Sequence, residues 1–352
     1  MTGANGHARG RLLRVAVLAG GRSSEHEVSL SSARAVREGL LAGGHEALWV
    51  EISREGEWRC EGELLSPTPG HGLLGADVAF PVLHGPFGED GTVQGMLETL
   101  GVAYVGSGVA ASAVSLDKVL FKELMTGAGV PQVDFVGLSA SSRHTSEQSG
   151  DRLLERLGLP VFVKPAHLGS SVGIVKVEAP GELADAIEQA FAHDERVIVE
   201  AAANGREVEC AVLGTAAGSQ SQGADGAGAQ ALASPLGEIV FGGEFYDYEA
   251  KYSPDGMQLV VPARISVTAE RRARELALEV FAAAGCDGLA RVDFFVDGEE
   301  VLVNELNTMP GFTPTSVYAK LIGAAGIEYP ELVERLCRLA CERHERLAAL
   351  RH

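Results

Sequence analysis

The sequence is short of aromatic residues, cysteines and long apolar runs, and each shortage argues against a class of protein. Aromatic residues make up 6% of the 352 residues, and the five cysteines are scattered without paired Cys-x-x-Cys motifs. We therefore expect neither a disulfide scaffold nor a cysteine metal site, and we interpret Cys337 and Cys341 as packing residues of one helix. No apolar run reaches the length of a membrane span.

The first apolar stretch does not fit a signal peptide. The segment "LLRVAVLAGG" is short, is interrupted by Arg14 and ends in a glycine pair. This pattern is typical of a first β-strand that leads into a tight turn. We therefore expect a cytoplasmic protein.

Basic residues are also in deficit. The chain has 29 lysines and arginines against 48 acidic residues, a formal net charge of −19. An acidic chain is poorly suited to nucleic acid or anionic membranes, and we expect neither as a partner. The hydrophobic content of 46% fits a globular enzyme, and the length allows two or three domains.

The first third of the chain alternates between strand and helix patterns. Strands are expected within 14–21, 45–53, 76–85 and 102–107, and helices at 28–42 and 92–101. This rhythm predicts a parallel sheet extending to about residue 112. The motif "GSGVAA" (106–111) resembles a dinucleotide-binding loop, but it ends in alanine and lacks the acidic residue expected further on. We interpret it as a strand-to-helix turn.

The rest of the chain mixes helices with adjacent strands. Helices are expected near 116–127, 180–193, 268–285 and 330–348, and strands within 130–138, 160–177, 196–214 and 290–307. The last of these is predicted to be a β-hairpin that turns at Asp297-Gly298. Residues 139–151 and 245–256 are expected to be polar loops. Residues 215–233 are of low complexity, and we expect a mobile insertion there.

The hairpin carries a candidate metal site. Strand side chains alternate, so Arg291 and Asp293 share one face of the first strand, and Glu305 and Asn307 share one face of the second. The side-chain oxygens of Asp293, Glu305 and Asn307 are ligands that suit Mg²⁺, which also binds substrate phosphates. A solvated strand face is the alternative, although the flanking Phe294, Val296, Val301 and Val303 fit a core strand.

Several residues are candidates for binding an anion or a nucleotide. Lys164 ends a strand before a loop rich in glycine and serine, and such loops let backbone amides approach a phosphate. Lys118 and Lys251 are further cations. Glu200 and Glu207 flank a short segment suited to a nucleobase and a ribose, but an ordinary hairpin explains that segment equally well.

Glu25 and His84 are candidates for a substrate site. Each follows a strand of the expected parallel sheet, and the carboxyl ends of such strands form the ligand crevice. The alternatives are a helix-capping glutamate and a buried structural histidine.

Together, seven motifs resemble the D-alanine–D-alanine ligases of the ATP-grasp superfamily, over residues 14 to 346. In chain order they are "GGRSSEHEVSLSSA", "HGPFGEDGTVQGMLE", "SLDK", "KPAHLGSSVGI", "EFYDYEAKY", "ARVDFF" and "NELNTMPGFTPTS". The resemblance implies an α/β and α+β protein of ATP-grasp fold. It implies an N-terminal parallel-sheet α/β domain (1–112), a central ATP-grasp lobe (113–205) and a C-terminal lobe (206–352) carrying the metal and second-substrate sites.

The resemblance also implies the reaction and its partners. ATP phosphorylates the carboxylate of one D-alanine, and the amine of a second D-alanine attacks the acyl phosphate to give the dipeptide used in peptidoglycan. Two Mg²⁺ ions, replaceable by Mn²⁺, are implied as cofactors, and a homodimer as the assembly.

The resemblance further implies which residues carry each role. For the substrates, the resemblance implies Glu25 and His84 at the first D-alanine, Ser316 and Val317 at the second, and Arg291 with the Gly311 backbone at the oxyanion. For the nucleotide and metals it implies Lys118, Lys164, Glu200, Glu207 and Lys251 at ATP, Ser170 and Ser171 in a closing phosphate loop, and Asp293, Glu305 and Asn307 at the metals. Tyr252 is implied to join Glu25 and Ser170 in a cluster that closes the site.

Two departures and two alternatives stand beside this interpretation. The family has a shorter connection at 215–233, and "PAHLG" replaces a more usual acidic or arginine-bearing stretch, which leaves His167 without a role. A D-alanine–D-lactate ligase is one alternative; Tyr252 favours the dipeptide. A nucleotide-binding regulator without ligase activity is the other, and the complete set of candidate metal ligands and lysines argues against it.

Overall fold

The described residues form three β-sheets that succeed one another along the chain. A computed structural model describes residues 11–141, 150–169, 172–216, 231–241 and 257–351. The first sheet has the strand order β4-β3-β2-β1-β5-β6, the second β7-β10-β8-β9, and the third β14-β13-β11-β15-β16 with β12 paired to β11. The bounds of the strands follow sheet by sheet.

The first sheet confirms the predicted parallel arrangement. Its parallel strands are β1 (Arg14–Gly20), β2 (Glu46–Ile52), β5 (Val78–Pro81) and β6 (Ala103–Tyr104), and the short β3 (Trp58–Cys60) and β4 (Glu63–Leu64) extend it in antiparallel fashion. Helices α1 (His26–Ala42) and α2 (Thr92–Leu100) connect its strands. As predicted, α2 ends at Gly101, whose φ of 74° favours glycine.

The second sheet is antiparallel and is covered by helices. It contains β7 (Phe135–Ser139), β8 (Val161–Pro165), β9 (Val175–Val177) and β10 (Arg196–Ala201). Helices α5 (Gly150–Leu157) and α6 (Leu183–Phe191) pack on one face through an apolar cluster that includes Val161, Val163, Val197 and Val199. The other face is turned to α4 (Lys118–Gly127), which follows α3 (Val109–Leu116). The strand-to-helix turn predicted at 106–111 is confirmed, because it leads from β6 into α3, whereas sequence patterning did not predict α5.

The third sheet contains the predicted hairpin. Its strands are β11 (Arg206–Thr215), β12 (Leu232–Ala233), β13 (Gly237–Phe241), β14 (Met257–Val260), β15 (Asp287–Asp297) and β16 (Glu300–Asn307). Asp297 pairs with Glu300 across the turn, within one residue of the predicted position. Phe294, Val296, Val301 and Val303 are buried, so one face of the hairpin belongs to the core and packs with α7 (Val267–Ala283).

The last helices return the chain to the first sheet. Helix α8 (Val317–Ala324) is followed by α9 (Tyr329–Ala348), and α9 packs against α1 and β6. Arg343 of α9 donates hydrogen bonds to the backbone oxygens of Tyr104 and Gly106. Cys337 is fully buried in this core, as expected of a packing residue. The domain boundaries at 112 and 205 stay predictions. None of the described helices has the length and apolar character needed to cross a membrane.

Three predictions are corrected by the structure. Residues 116–127 do not form one helix, because Asp117 ends α3 and caps α4. The strands within 196–214 do not form a hairpin, because β10 and β11 belong to different sheets. They are linked through Gly205, where a Cβ atom would lie 2.2 Å from the backbone oxygen of Val296.

The third correction concerns the expected insertion at 215–233, because both of its ends are ordered. Thr215 ends β11, and β12 pairs with Val212 and Leu213. Ala231 and Ala233 are buried in the core of the third sheet. Residues 217–230 and the predicted loop at 245–256 lie outside the described residues.

We predict that the replaceable segment is 217–230 rather than 215–233. Ala231 packs directly against Gly214, so a short Gly-Ser link can join the two ends. Replacing 217–230 in this way should change the melting temperature by no more than about 2 °C, because no described contact is lost. Extending the replacement through Ala233 removes β12 and should lower the melting temperature by at least about 4 °C. Equal melting temperatures for the two variants in calorimetry would contradict this assignment.

Candidate active site

One cavity collects the predicted site residues. Its volume is about 520 Å³, and it is bordered by the second and third sheets and by the carboxyl ends of strands of the first. All thirteen predicted residues that the structure describes line it: Glu25, His84, Lys118, Lys164, Glu200, Glu207, Arg291, Asp293, Glu305, Asn307, Gly311, Ser316 and Val317. The other four, Ser170, Ser171, Lys251 and Tyr252, lie outside the described residues.

The hairpin presents four polar side chains on its cavity face. Arg291 pairs with Asn307 and Asp293 with Glu305 in the strand register, as the alternation predicted. The amide nitrogen of Asn307 lies 3.2 Å from Oδ2 of Asp293 and 3.5 Å from Oε1 of Glu305. A register shift follows directly after Asp293, which leaves Asn304 as an extra residue in β16. This face is partly buried and lines the cavity, and the metal-site assignment stays a prediction.

Arg291 is held by two carboxylates. Its Nε and Nη2 atoms donate to Asp293 at 2.7 and 2.6 Å, and Nε also lies 3.0 Å from Oε2 of Glu209. The guanidinium is thereby fixed in orientation before any substrate binds. Sequence analysis missed Glu209, although its position two residues after Glu207 on β11 places both side chains on one strand face.

The opposite wall of the cavity carries lysines. Lys164 of β8 donates to Oε2 of Glu200 at 2.5 Å, and Lys118 at the start of α4 donates to the backbone oxygen of Leu168 at 2.6 Å. Although burial opposes the charge, Glu200 raises the pKa of Lys164. Burial likewise opposes ionisation of Glu200, but the neighbouring lysines lower its pKa. Both groups are therefore charged at neutral pH.

Glu25 and His84 lie at the first sheet's edge of the cavity. Glu25 precedes α1 but its side chain makes no capping hydrogen bond, so the capping alternative is wrong. His84 is buried; its Nδ1 donates to the backbone oxygen of Met309 at 3.0 Å, and Nε2 lies 3.3 Å from the hydroxyl of Ser32. Burial lowers the pKa of His84, although Glu25 opposes this. A neutral His84 thus connects the first sheet to the loop after β16. This contact agrees with the alternative that His84 is a buried structural histidine.

A further acidic residue of the cavity was missed by the sequence analysis. Glu89 belongs to the same "HGPFGED" motif as His84, and its Oε2 accepts from the backbone N–H of Gly85 at 2.9 Å. Burial and the nearby Glu25 raise the pKa of Glu89 to about 8. Glu89 is therefore mostly protonated at neutral pH. At the hairpin face, the acids Glu209, Asp293 and Glu305 still outnumber Arg291. A cation would relieve this repulsion.

The loop after β16 completes the cavity. Ser316 precedes α8, and its hydroxyl accepts from the backbone N–H of Thr313 at 3.0 Å. A Cβ atom at Gly311 would lie 3.4 Å from that hydroxyl, so the two residues are in close contact. The described residues contain no group of three or more histidines, cysteines or acids that would hold a metal by themselves. The candidate metal ligands are thus two carboxylates and one amide.

Comparisons with known proteins match this arrangement along the chain. The sequence profile of the D-ala D-ala ligase C-terminus matches residues 124–338, and that of the D-ala D-ala ligase N-terminus matches residues 14–71 and 61–107. The chain belongs to the D-alanine–D-alanine ligase family. The family's activity is the ATP-dependent joining of two D-alanines for peptidoglycan synthesis, on the ATP-grasp fold.

Relatives within the family are similar over nearly their whole length. A D-alanine–D-alanine ligase of Deinococcus radiodurans is 46% identical, over 94% of this chain and 98% of the relative. One of Mycobacterium ulcerans is 43% identical, over 95% and 97%. The structure of the D-alanine–D-alanine ligase of Coxiella burnetii superposes with a TM-score of 0.83 at 34% identity, over 96% of each chain.

A solved ligase with a different second substrate is almost as similar. The VanG D-Ala:D-Ser ligase of Enterococcus faecalis superposes with a TM-score of 0.81 at 34% identity, over 94% of this chain and all of that chain. The fold of D-alanine ligases therefore does not by itself identify the second substrate.

His167, the residue that the family resemblance left without a role, binds two carboxylates. It lies two residues after β8, and its Nδ1 is 2.9 Å from Asp194 while its Nε2 is 3.1 Å from Asp117. Asp117 also caps α4 by accepting from the backbone N–H groups of Val119 and Leu120, and it pairs with Arg196. His167 therefore ties the base of the glycine loop to the helix that carries Lys118.

We predict that His167 stabilises the ligase below alkaline pH. Hydrogen bonds to Asp117 and Asp194 raise the pKa of His167 to about 9. A pKa raised on folding gives stability that is complete below the ordinary value of about 6.5 and is lost as the pH rises through the folded value. The free energy of unfolding in urea should therefore fall from pH 7 to pH 10, and His167→Gln should reduce that fall.

The control is His71→Gln, at an exposed histidine that contacts the backbone oxygen of Pro69. This variant should keep the wild-type pH dependence of the unfolding free energy. A His167→Gln variant with the same pH dependence as the wild type would show that the ion pairs of His167 contribute no stability.

Proposed function

We propose that this chain joins two D-alanines to D-alanyl-D-alanine in the described cavity, with the bond energy taken from ATP. The observation that supports this best is the register of β15 and β16, which gathers Arg291, Asp293, Glu305 and Asn307 on one face of the cavity. Facing them across the cavity, Lys118 and Lys164 supply the positive charge that a triphosphate needs.

The nucleotide lies between the second and third sheets in this proposal. Lys118 and Lys164 bind its phosphates, Glu200 at the end of β10 faces its base, and Glu207 on β11 holds the ribose. Because β10 and β11 belong to different sheets, these two acids approach the nucleotide from different walls. The resemblance adds Lys251 and the loop serines Ser170 and Ser171 to this set.

The residues present fit a divalent cation at the hairpin. Asp293 and Glu305 both lie within 3.5 Å of the Asn307 amide, and the nearby Glu25 and Glu209 add negative charge to the same cavity. Asp293, Glu305 and Asn307 would hold two Mg²⁺ ions, with Mn²⁺ as a substitute. Such ions neutralise the oxygens of a phosphoryl group in transfer.

The two D-alanines bind at the other end of the cavity. Glu25 accepts the ammonium group of the first, whose carboxylate lies near His84. That carboxylate attacks the γ-phosphorus of ATP, which gives an acyl phosphate and ADP. Ser316 and Val317 hold the second D-alanine, whose amine attacks the acyl carbon and expels phosphate.

The transition states of this reaction develop charge beside fixed donors. Arg291 and the backbone N–H of Gly311 stabilise the oxyanion of the tetrahedral intermediate. His84 acts through its bond to Met309, which fixes the loop that carries Gly311. Because water hydrolyses an acyl phosphate, the site must close before transfer. The resemblance assigns that closure to Tyr252 with Ser170 and Glu25.

The proposal also covers the second substrate, the cellular location and the oligomeric state of the enzyme. D-Serine, the second substrate in the name of VanG, and D-lactate are the competing nucleophiles. Tyr252 supports D-alanine by resemblance. We place the enzyme in the cytoplasm as a homodimer, with no nucleic acid or membrane partner, in keeping with its net charge of −19.

The experiment is an ADP-release assay with chromatography of the products. D-Alanine should be converted to the dipeptide, whereas L-alanine should support no turnover, and D-serine or D-lactate offered with D-alanine should give only minor mixed products. ADP release that does not depend on D-alanine would overturn the proposal in favour of a nucleotide-binding regulator.

We predict that Glu305→Gln lowers turnover in this assay by about 10³-fold or more, because one carboxylate that holds cations at the transferring phosphoryl group is lost. The control is Glu300→Gln, at an exposed glutamate of the same strand, which should retain wild-type turnover. Near-normal turnover of Glu305→Gln at saturating Mg²⁺ would refute the metal-ligand assignment.

A further inference from the structure

A buried lysine that the sequence analysis did not consider lies beneath the cavity. Lys122 is four residues after Lys118 on α4, so the two side chains share one face of the helix. Its side chain is 1% exposed and lines the cavity, and Nζ is 3.6 Å from Oε1 of Glu200. Among the residues that the structure describes, no atom accepts a hydrogen bond from this ammonium group.

Glu200 is shared between two lysines. Its Oε2 accepts from Lys164 at 2.5 Å, while Oε1 is the oxygen nearest to Lys122. The carboxylate stands on β10 between Phe135 and Phe162 of the neighbouring strands, which restrict its other contacts. Glu200 alone therefore balances only one of the two ammonium charges.

Fold stability does not explain this lysine. Burying a charged group without a hydrogen bond is costly, and Glu200 already has a close partner in Lys164. An apolar side chain of the same length would fill the space without that cost. A buried ammonium group with an ion-pair partner but no hydrogen-bond acceptor calls for a functional explanation.

We propose that Lys122 is a positioning residue for the nucleotide: by holding Oε1 of Glu200, it fixes the carboxylate and, through it, the ammonium group of Lys164. This inference rests on the proposed nucleotide site and adds a residue to it. Lys122 lies one helical turn further from the glycine loop than Lys118, at the end of the cavity where Glu200 faces the base. Its charge therefore acts on nucleotide binding rather than on D-alanine.

The proposal has a consequence at alkaline pH. Burial lowers the pKa of Lys122, and Glu200 opposes this only in part, whereas Glu200 raises the pKa of Lys164. The other charged groups that act on Lys122 are Lys164, which disfavours its charge, and Glu305 of β16, which favours it. Lys122 is therefore the first of the two lysines to lose its proton as the pH rises, and nucleotide affinity should fall with it.

The experiment measures the dissociation constant of ADP with Mg²⁺ by calorimetry from pH 7 to pH 10. Lys122→Met keeps the length of the side chain and removes the charge. It should weaken ADP binding at pH 7 by about tenfold, the loss expected for one charged contact. It should also show a smaller alkaline weakening than the wild type. Lys320→Met, at an exposed lysine of α8, is the control and should match the wild type.

Lys122→Arg provides a second test that keeps the charge. It should bind ADP within a few-fold of the wild type at pH 7 and lose the alkaline weakening, because arginine stays protonated. If both Lys122 variants bind ADP as the wild type does at every pH, this inference is wrong while the nucleotide site stands. A wild-type protein that binds no ADP would overturn the nucleotide site together with this inference.

Discussion

The antiparallel pairing of β15 with β16 is the constraint on which the rest of the site depends. It sets Asp293 directly opposite Glu305 and Arg291 opposite Asn307. Like charges directly opposite each other destabilise a sheet, so the paired carboxylates of Asp293 and Glu305 cost stability. Arg291, bound by Asp293 and Glu209, offsets part of that cost within the strand itself. The core face of Phe294, Val296, Val301 and Val303 holds the register in place.

The other elements bring binding groups to this face. The second sheet supplies Lys164 and Glu200, α4 supplies Lys118, and the first sheet supplies Glu25. The connections between them are specific contacts: His84 binds the backbone of Met309, and Arg343 of α9 binds the backbone of the segment after β6. Three sheets that are separate along the chain thereby share one cavity, which suits a reaction with three substrates.

Much of this was predictable from sequence, because strand alternation and motif order are local. Alternation alone placed the metal candidates on one hairpin face, and the family resemblance gave thirteen residues that line one cavity, ten of them within the seven motifs. Sequence failed where the outcome depends on distant packing. The patterns at 196–214 read as a hairpin, but β10 and β11 pair with other strands. The sequence analysis did not consider Lys122, which is buried through the approach of Glu200 from another element. A strand of only two residues, Leu232 and Ala233, is too short to be recognised from its pattern, and it exists through its pairing with β11.

The central claim is that the hairpin face binds divalent cations beside the nucleotide. Anomalous diffraction at the manganese edge, from crystals grown with ADP and Mn²⁺, tests this most directly. The account predicts manganese peaks about 2 Å from oxygens of Asp293, Glu305 and Asn307, and in contact with the nucleotide phosphates. Manganese bound in the cavity without any of these three side chains as ligands would contradict it.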